Sequence, residues 1–556
     1  MTALLTNNLP LLAGAPNGIK KLRELILELA VRGKLVPQYP NDEPASELLK
    51  RIAEEKTRLV AEGKIKKQKP LTEIDEEALP FELPAGWVWT RLGEITNFGS
   101  TIKKDEIPED AWVLDLEDIE KDTSKLLQKA RFYDRNSLSD KNSFTKGDVL
   151  YGKLRPYLNK VLVAEDDGFC TTEILPFRCH GPFVAHYFVI ALKSPYFLSY
   201  VNAKSYGMKM PRLGTEDGRQ AFFPLPPLAE QQRIVAKVEE LMTLCDRLEA
   251  QQADAESAHA QLVQALLGSL TQAVDAEDFA ASWQRLAEHF HTLFTTESSI
   301  DALKQTLLQL AVMGKLVPQD PSDQPASELL RNIEKEKNQL IAKKAIRRGK
   351  PLPGIEEDEM RFKLPIGWEW IRLGQVGDWG AGATPSRGNS DYYGGTMPWF
   401  KSGELVADYI SDSEETVTEL ALKECSLRQN KAGDVLIAMY GATIGKTAIL
   451  SVDGTTNQAV CACTPFTGLL NRYLLLTLKS LKANFIGQGA GGAQPNISRE
   501  KIVATVAGLP PLAEQQRIVA KVDQLMALCD QLKARLAQAR QLNEQLATAL
   551  VEQAVA

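Results

Sequence analysis

Apolar residues recur at alternating spacings of four and three after residue 226: Ile234, Val238, Leu241, Cys245 and Leu248, then Ala255, Leu262 and Leu266. The rhythm returns at Ile518, Val522, Leu525, Cys529, Leu532, Leu536, Ala539, Leu546 and Leu550. A seam of this period predicts two long helices that pair as a coiled coil. Some 35 to 40 residues at 1.5 Å each span about 50 to 60 Å. Pro226-Pro227 and Pro510-Pro511 stand before the two stretches, where a first helical turn accepts proline because its missing N–H has no partner to lose. His259 and Asn543 fall on equivalent seam positions and are expected to help set an antiparallel register.

Shorter periodic stretches lie upstream. Leu22, Leu25, Leu29 and Val31 lead to a stop near Gly33, and a second helix is expected from Pro44-Ala45-Ser46. That helix runs into basic segments at residues 64–69 and 343–350, ahead of Gly86-Trp87 and Gly367-Trp368. Between the helical parts the pattern changes to short β-type runs set off by Gly, Pro, Asn and Asp. Gly147-Asp148-Val149-Leu150-Tyr151 and Gly433-Asp434-Val435-Leu436-Ile437 are examples. Each such region reads as a compact α/β or α+β domain of about 130 to 140 residues.

The chain repeats itself. Residues 19–95 align without a gap to residues 300–376, and residues 225–248 align to 509–532 with 20 of 24 positions identical. The segments between, 96–223 and 377–508, are nearly equal in length and almost unrelated. A duplicated framework has been kept while two inserted domains diverged. The expected division is a helical half-repeat at 1–84, domain 1 at 85–224, a central framework at 225–365, domain 2 at 366–508 and a C-terminal helix at 509–556. The fold class is α+β: two globular α/β domains separated by long antiparallel coiled-coil helices, with an internal pseudo-two-fold. The first and last segments together would rebuild the central one, so the chain ends should meet. Two-fold symmetry suits a target with two half-sites, such as duplex DNA.

Composition narrows the class. With 44% hydrophobic and 25% charged residues, bulk disorder is excluded. No apolar run reaches the roughly 18 residues of a membrane span, and residues 1–16 make a poor signal peptide. Seven cysteines without a Cys-x-x-Cys pair read as free thiols of a reducing, cytoplasmic compartment. The net charge of −7 neither supports nor excludes DNA, because basic patches can sit on an acidic body.

Several features resemble the specificity subunits of type I restriction-modification systems. They are the twice-used Pro-Pro-Leu-Ala-Glu-Gln-Gln-Arg-Ile-Val helix start, the Gly-Asp-Val-Leu strand and two divergent domains in a half-repeated framework. Domain 2 adds Gly382-Ala383-Thr384-Pro385-Ser386, Met397-Pro398-Trp399-Phe400 and residues 440–446, and domain 1 the related residues 151–160. The Gly-Lys-Leu-Val-Pro-Gln segment resembles the longer type IB branch. The resemblance implies a non-catalytic subunit in which each domain reads half of a bipartite site on double-stranded DNA. It further implies that the helices dock two methyltransferase subunits, that motor-nuclease subunits join them, and that S-adenosylmethionine, ATP and magnesium belong to those partners.

Reading DNA calls for Arg or Lys toward phosphate and guanine, Asn or Gln toward adenine, and small hydroxyls near the backbone. In domain 1 the candidates are Lys141, Lys146, Lys153, Arg155, Tyr157, Asn159 and Lys160, then Lys204, Lys209 and Arg212 in a Gly/Pro-rich loop. In domain 2 they are Thr384, Ser386, Arg387, Lys401, Thr443 and Lys446, with Gln488, Gln494, Asn496 and Arg499 around a glycine-rich loop. Taken singly, each is an ordinary surface group; the grouping is what points to a polyanion. Trp399 and Tyr151 read as core rather than as stacking platforms.

Rival chemistries fit poorly. Gly441 to Lys446 imitates a phosphate loop, but three residues rather than four separate Gly441 from Gly445. A self-sufficient adenine methyltransferase needs an Asn/Asp-Pro-Pro-aromatic loop, which neither Leu-Pro-Pro-Leu segment supplies. None of the five histidines neighbours a recognisable nucleophile.

Overall fold

The computed structural model describes residues 11–75, 77, 79–135, 139–489 and 496–555. The chain forms two compact units, one made of residues up to 255 together with 539–556, the other of residues 256–538.

In the first unit the helix Gly18–Val31 turns Leu22, Leu25, Ile26 and Leu29 inward, the spacing of one helical face. It stops at Gly33, whose φ of +66° suits glycine, and the Lys34 N–H donates back to the Leu29 carbonyl at 2.9 Å. A Cβ at Gly33 would also stand 2.4 Å from Pro84 Cγ. Glycine is required twice over.

This helix runs beside parts of two much longer ones, Leu228–Gln272 and Leu512–Val555. Gln252 donates to the Ala13 carbonyl, and Arg23 pairs with Asp246 and Glu249 at 2.6 and 2.8 Å. Lys21 donates to Thr548 Oγ1, and Lys34 Nζ donates to the Val555 carbonyl, both at 2.8 Å. Moving along the short helix thus descends one long helix and ascends the other, so within this unit they are antiparallel. Ile234, Val238, Leu241 and Cys245 share one core with Ala547 and Ala554.

The inserted domain of the first unit is closed at its root. Val88–Arg91 pairs antiparallel with Phe222–Leu225, so the strands where the chain enters and leaves lie side by side. Beyond them stand a four-stranded sheet centred on Val149–Gly152 and Ile174–Cys179 and a five-stranded sheet containing Lys141–Phe144 and Gly168–Thr171. The helix Ala185–Lys193 covers the first sheet, and the buried Tyr187 hydroxyl donates to the Pro224 carbonyl at 2.9 Å.

The second unit repeats these devices. Gly314 has φ +70° and stands equally close to Pro365. Lys533 pairs with Asp301 at 2.9 Å, and Lys304, the counterpart of Arg23, pairs with Asp530. Glu369–Arg372 pairs with Val506–Leu509. Lys315 Nζ donates to the carbonyls of Thr271 and Ala273 at 3.2 and 2.9 Å. Lys315 and Thr271 are the repeat counterparts of Lys34 and Val555. The contact between the two chain ends is therefore the same contact that occurs mid-chain in the other unit.

Burial along the long helices departs from the seven-residue seam. After Cys245 the next fully buried positions are Val263, Leu267 and Leu270, while Leu262 is 52% exposed. In the second helix Cys529 is followed by Ala547, while Leu546 is 51% exposed. Eighteen residues separate each buried pair, five turns of an unwound-free 3.6-residue helix. His259 Nε2 lies 3.1 Å from the Thr292 carbonyl oxygen, and Asn543 is exposed. The register role expected of that pair is not supported by these positions.

The apolar runs near residues 183–192 and 469–478 are the domain helices Ala185–Lys193 and Asn471–Ser480. Among the described residues no helix is long and apolar enough to cross a membrane.

Candidate nucleic-acid interface

Gly147 and Gly433, at φ +91° and +96°, make the turn before the Gly-Asp-Val strands. Asp148 accepts from the Thr145 N–H and Asp434 from the Lys431 N–H. The strands that follow are wholly buried, and what they carry at their far ends is the same in both units.

In domain 1 the Lys153 N–H donates to the Glu173 carbonyl at 2.9 Å, and its own carbonyl accepts from the Leu213 N–H at 3.0 Å. In domain 2 Met439 stands there, donating to the Ala459 carbonyl at 2.8 Å and accepting from the Ile497 N–H at 2.9 Å. Each strand end therefore gathers three loops, and the sequence candidates on them are brought together from distant positions.

The domain 1 trio holds Lys153, Arg155 and Tyr157, with Lys209 and Arg212 on the facing loop and Lys204 at its start. Arg155 and Asn159 adopt left-handed backbone at φ 50° and 51°, and the Arg155 N–H donates to the Pro211 carbonyl at 2.7 Å. Arg155, Tyr157, Lys204 and Lys209 are exposed. Arg212 forks onto both oxygens of Glu173 at 3.0 Å.

Three domain 1 candidates lie elsewhere. Lys141 is 2% exposed, with its ammonium 3.2 Å from Ser139 Oγ and 4.0 Å from Asp115, so as placed it cannot reach a duplex. Its burial comes from those neighbours and not from strand alternation, since adjacent Asn142 is buried as well and Ser143, on the same face as Lys141, is half-exposed. Lys146 is exposed but sits at the opposite end of Val149–Gly152 from the trio. Lys160 spends its ammonium on the Leu116 carbonyl at 2.6 Å, and burial lowers its pKa.

In domain 2 the trio holds Tyr440, Thr443 and Lys446 on one loop and Asn496, bridged to Tyr440, on another. The third is joined by Thr384, whose hydroxyl donates to Gln458 Oε1. The Gly382 backbone is pressed against this segment, for a Cβ there would stand 2.1 Å from the Thr456 carbonyl oxygen. Thr443 Oγ1 donates to the Tyr440 carbonyl at 2.7 Å, and Lys446 is half-buried. Ser386, Gln488 and Arg499 are exposed, Arg499 beside Glu500 at 3.1 Å. Gln494 lies outside the described residues.

Arg387 and Lys401 belong to a separate cluster. Arg387 pairs with Glu415 and lies over the rings of Tyr393 and Trp399 at 4.7 and 5.1 Å. Lys401 reaches Glu414 and Glu415 at 2.7 and 3.0 Å. Hydrogen bonds from the two cations push the Glu415 carboxyl down to about 2. A phosphate would have to displace that carboxylate, so these cations are not free in the way expected of them.

Trp399 and Tyr151 are buried core residues. Cys461 and Cys463 face the interior, and burial pushes the Cys461 thiol up to about 12. Sequence reasoning missed Tyr440, Gln458, Tyr206 and Met208, all at the trios; a backbone turn, rather than a residue pattern, puts them there.

The family model described as the type I restriction modification DNA specificity domain matches residues 365–540. The type I restriction enzyme EcoAI specificity subunit of Escherichia coli is 40% identical over 572 residues, 97% of this chain and 94% of that protein. The EcoEI specificity subunit of the same organism is 38% identical over 573 residues with the same coverage. A solved chain reported under "Structural basis underlying complex assembly and conformational transition of the type I R-M system" shares the fold. Its TM-score is 0.53 at 22% identity, covering 86% of this chain and 99% of that one. With similarity running end to end, the chain belongs to the type I restriction enzyme specificity subunits, non-catalytic components that recognise DNA by sequence.

Proposed function

We propose that each inserted domain reads one half of a bipartite site on double-stranded DNA, using its loop trio, while the framework helices fix the unread interval. The observation that carries this is the trio itself. Two domains with unrelated sequences build the same three-loop end on matching backbone hydrogen bonds, then present different side chains from it: Lys153, Arg155 and Arg212 in one, Tyr440, Thr443 and Asn496 in the other. A shared stage with different actors is what two half-site specificities require.

The framework presents a repeated apolar pair as well. Leu244 and Leu262 are exposed on the first long helix, and their counterparts Leu528 and Leu546 on the second. Repeated apolar surface fits two copies of one partner, supporting two methyltransferase subunits, with motor-nuclease subunits joining the assembly. S-adenosylmethionine, ATP and magnesium are assigned to those partners, and the assembly to the cytoplasm, where the DNA it reads is found.

The test is a map of N6-methyladenine in a host with and without the gene. A bipartite motif that disappears with the gene, and whose halves change one at a time when domains are exchanged, supports the reading. A single contiguous motif overturns it.

A further inference from the structure

The domain 1 trio carries a projection that phosphate contact does not explain. Tyr206 and Arg212 exchange two backbone hydrogen bonds, at 3.0 and 2.9 Å, closing a small hairpin over Gly207, Met208, Lys209, Met210 and Pro211. Gly207, at φ +100°, makes the turn; a Cβ there would meet the Met210 carbonyl oxygen at 3.0 Å. The base is fixed three ways: Leu213 to Lys153, Arg155 to Pro211, and the Arg212 fork on Glu173. On this anchored stalk Met208 is fully exposed, with Tyr206 and Met210 also open to solvent. Residues 204–212 contain three basic residues and no acidic one. Among the described residues Lys204 and Lys209 have no ion-pair partner.

An apolar side chain held wholly in water by a stiff support gains nothing from the fold. Side chains of this kind act in DNA as wedges, entering between base pairs and kinking the duplex while flanking cations hold the backbone. Methionine is unbranched and slim enough to enter a step. We propose that Met208 is such a wedge, driven into a base step of the half-site read by domain 1, with Lys204 and Lys209 on the adjoining phosphates. This rests on domain 1 reading DNA, and adds that it reads deformability as well as base edges.

The test uses the complete assembly with its methyltransferase subunits and a duplex carrying the mapped site. 2-Aminopurine replaces each purine of the domain 1 half in turn, leaving the adenine that receives the methyl group unlabelled. Expected is a several-fold fluorescence rise at one step on binding, lost in Met208→Ala and retained in Met208→Leu. Affinity falls about tenfold in the alanine variant, the scale of one apolar side chain's burial. The wedge is overturned if no label brightens with the unaltered protein, if the signal survives Met208→Ala, or if that variant instead fails to hold the methyltransferase subunits. In those cases the mapped duplex is still preferred over a scrambled one. Loss of that preference in the unaltered protein would instead remove the underlying reading of domain 1.

Discussion

Glu230 Oε2 accepts a hydrogen bond from Trp87 Nε1 at 3.0 Å inside the root of domain 1, while its other oxygen accepts from Gln38 at 3.1 Å. Glu514 repeats the arrangement with Trp368 and Gln319 at 2.9 and 3.2 Å. One carboxylate thus fastens the start of a long helix to two separate framework turns. Burial raises the pKa of both acids. An acid whose folded pKa lies above its unfolded value favours folding below that window and loses the contribution as pH rises through it. Stability should therefore contain a component that declines as pH rises above about 4.5. The paired variant Glu230→Gln with Glu514→Gln keeps an acceptor oxygen and should flatten that decline in a pH series of denaturant melts. An unchanged slope would reject the account.

The phase of the long helices gives a sharper contrast. Leu546→Ser, at an exposed position, should change stability by less than about 0.5 kcal/mol. Ala547→Asp, one residue on and fully buried, should cost on the order of 3 kcal/mol or more because its charge finds no partner. Chemical denaturation of the two variants distinguishes them, and a strict seven-residue seam would give the reverse order.

Salt dependence separates reading cations from structural ones. Lys209→Ala and Lys204→Ala should each weaken binding to all sequences and flatten the salt slope by about one. Lys141→Ala should lower the melting temperature and leave the slope alone. Binding measured at several salt concentrations decides both points.

In domain 2, Glu415→Gln removes the carboxylate paired with Arg387 and leaves Lys401 only its bond to Glu414. Non-specific affinity should rise and the salt slope steepen. Because the native carboxyl is held down to about 2, it stays ionised above that pH, and its contribution is lost only as pH falls through that value. This cluster should therefore add no pH dependence to DNA binding between about pH 5 and 8.

The framework was legible because its signals are local and repeated. The double prolines, the Gly33 stop and the first four seam residues all stand where their spacing put them. Beyond the first four residues the seam held in part: Leu248, Leu266, Leu532, Leu536 and Leu550 pack against the cores, while Leu262 and Leu546 turn outward, because readings of 3.5 and 3.6 residues per turn diverge only over several turns. The sites were half legible. Runs such as residues 153–160 flagged one loop, but its partners come from positions about 20 and 60 residues on, joined by backbone hydrogen bonds that no composition announces. Lys141 misled for the same reason. Neighbours from other parts of the chain, Asp115 among them, cover this lysine, and a count of charges does not see them.

The paired root strands, Val88–Arg91 with Phe222–Leu225 and Glu369–Arg372 with Val506–Leu509, make each reader a cassette with a common plug. Fourteen consecutive identical residues begin at the last residue of each plug, Leu225 and Leu509. Genetic exchange within such a stretch would deliver a foreign reader already joined to a socket it fits, so a new specificity could arise in one step without redesign of the supporting helices.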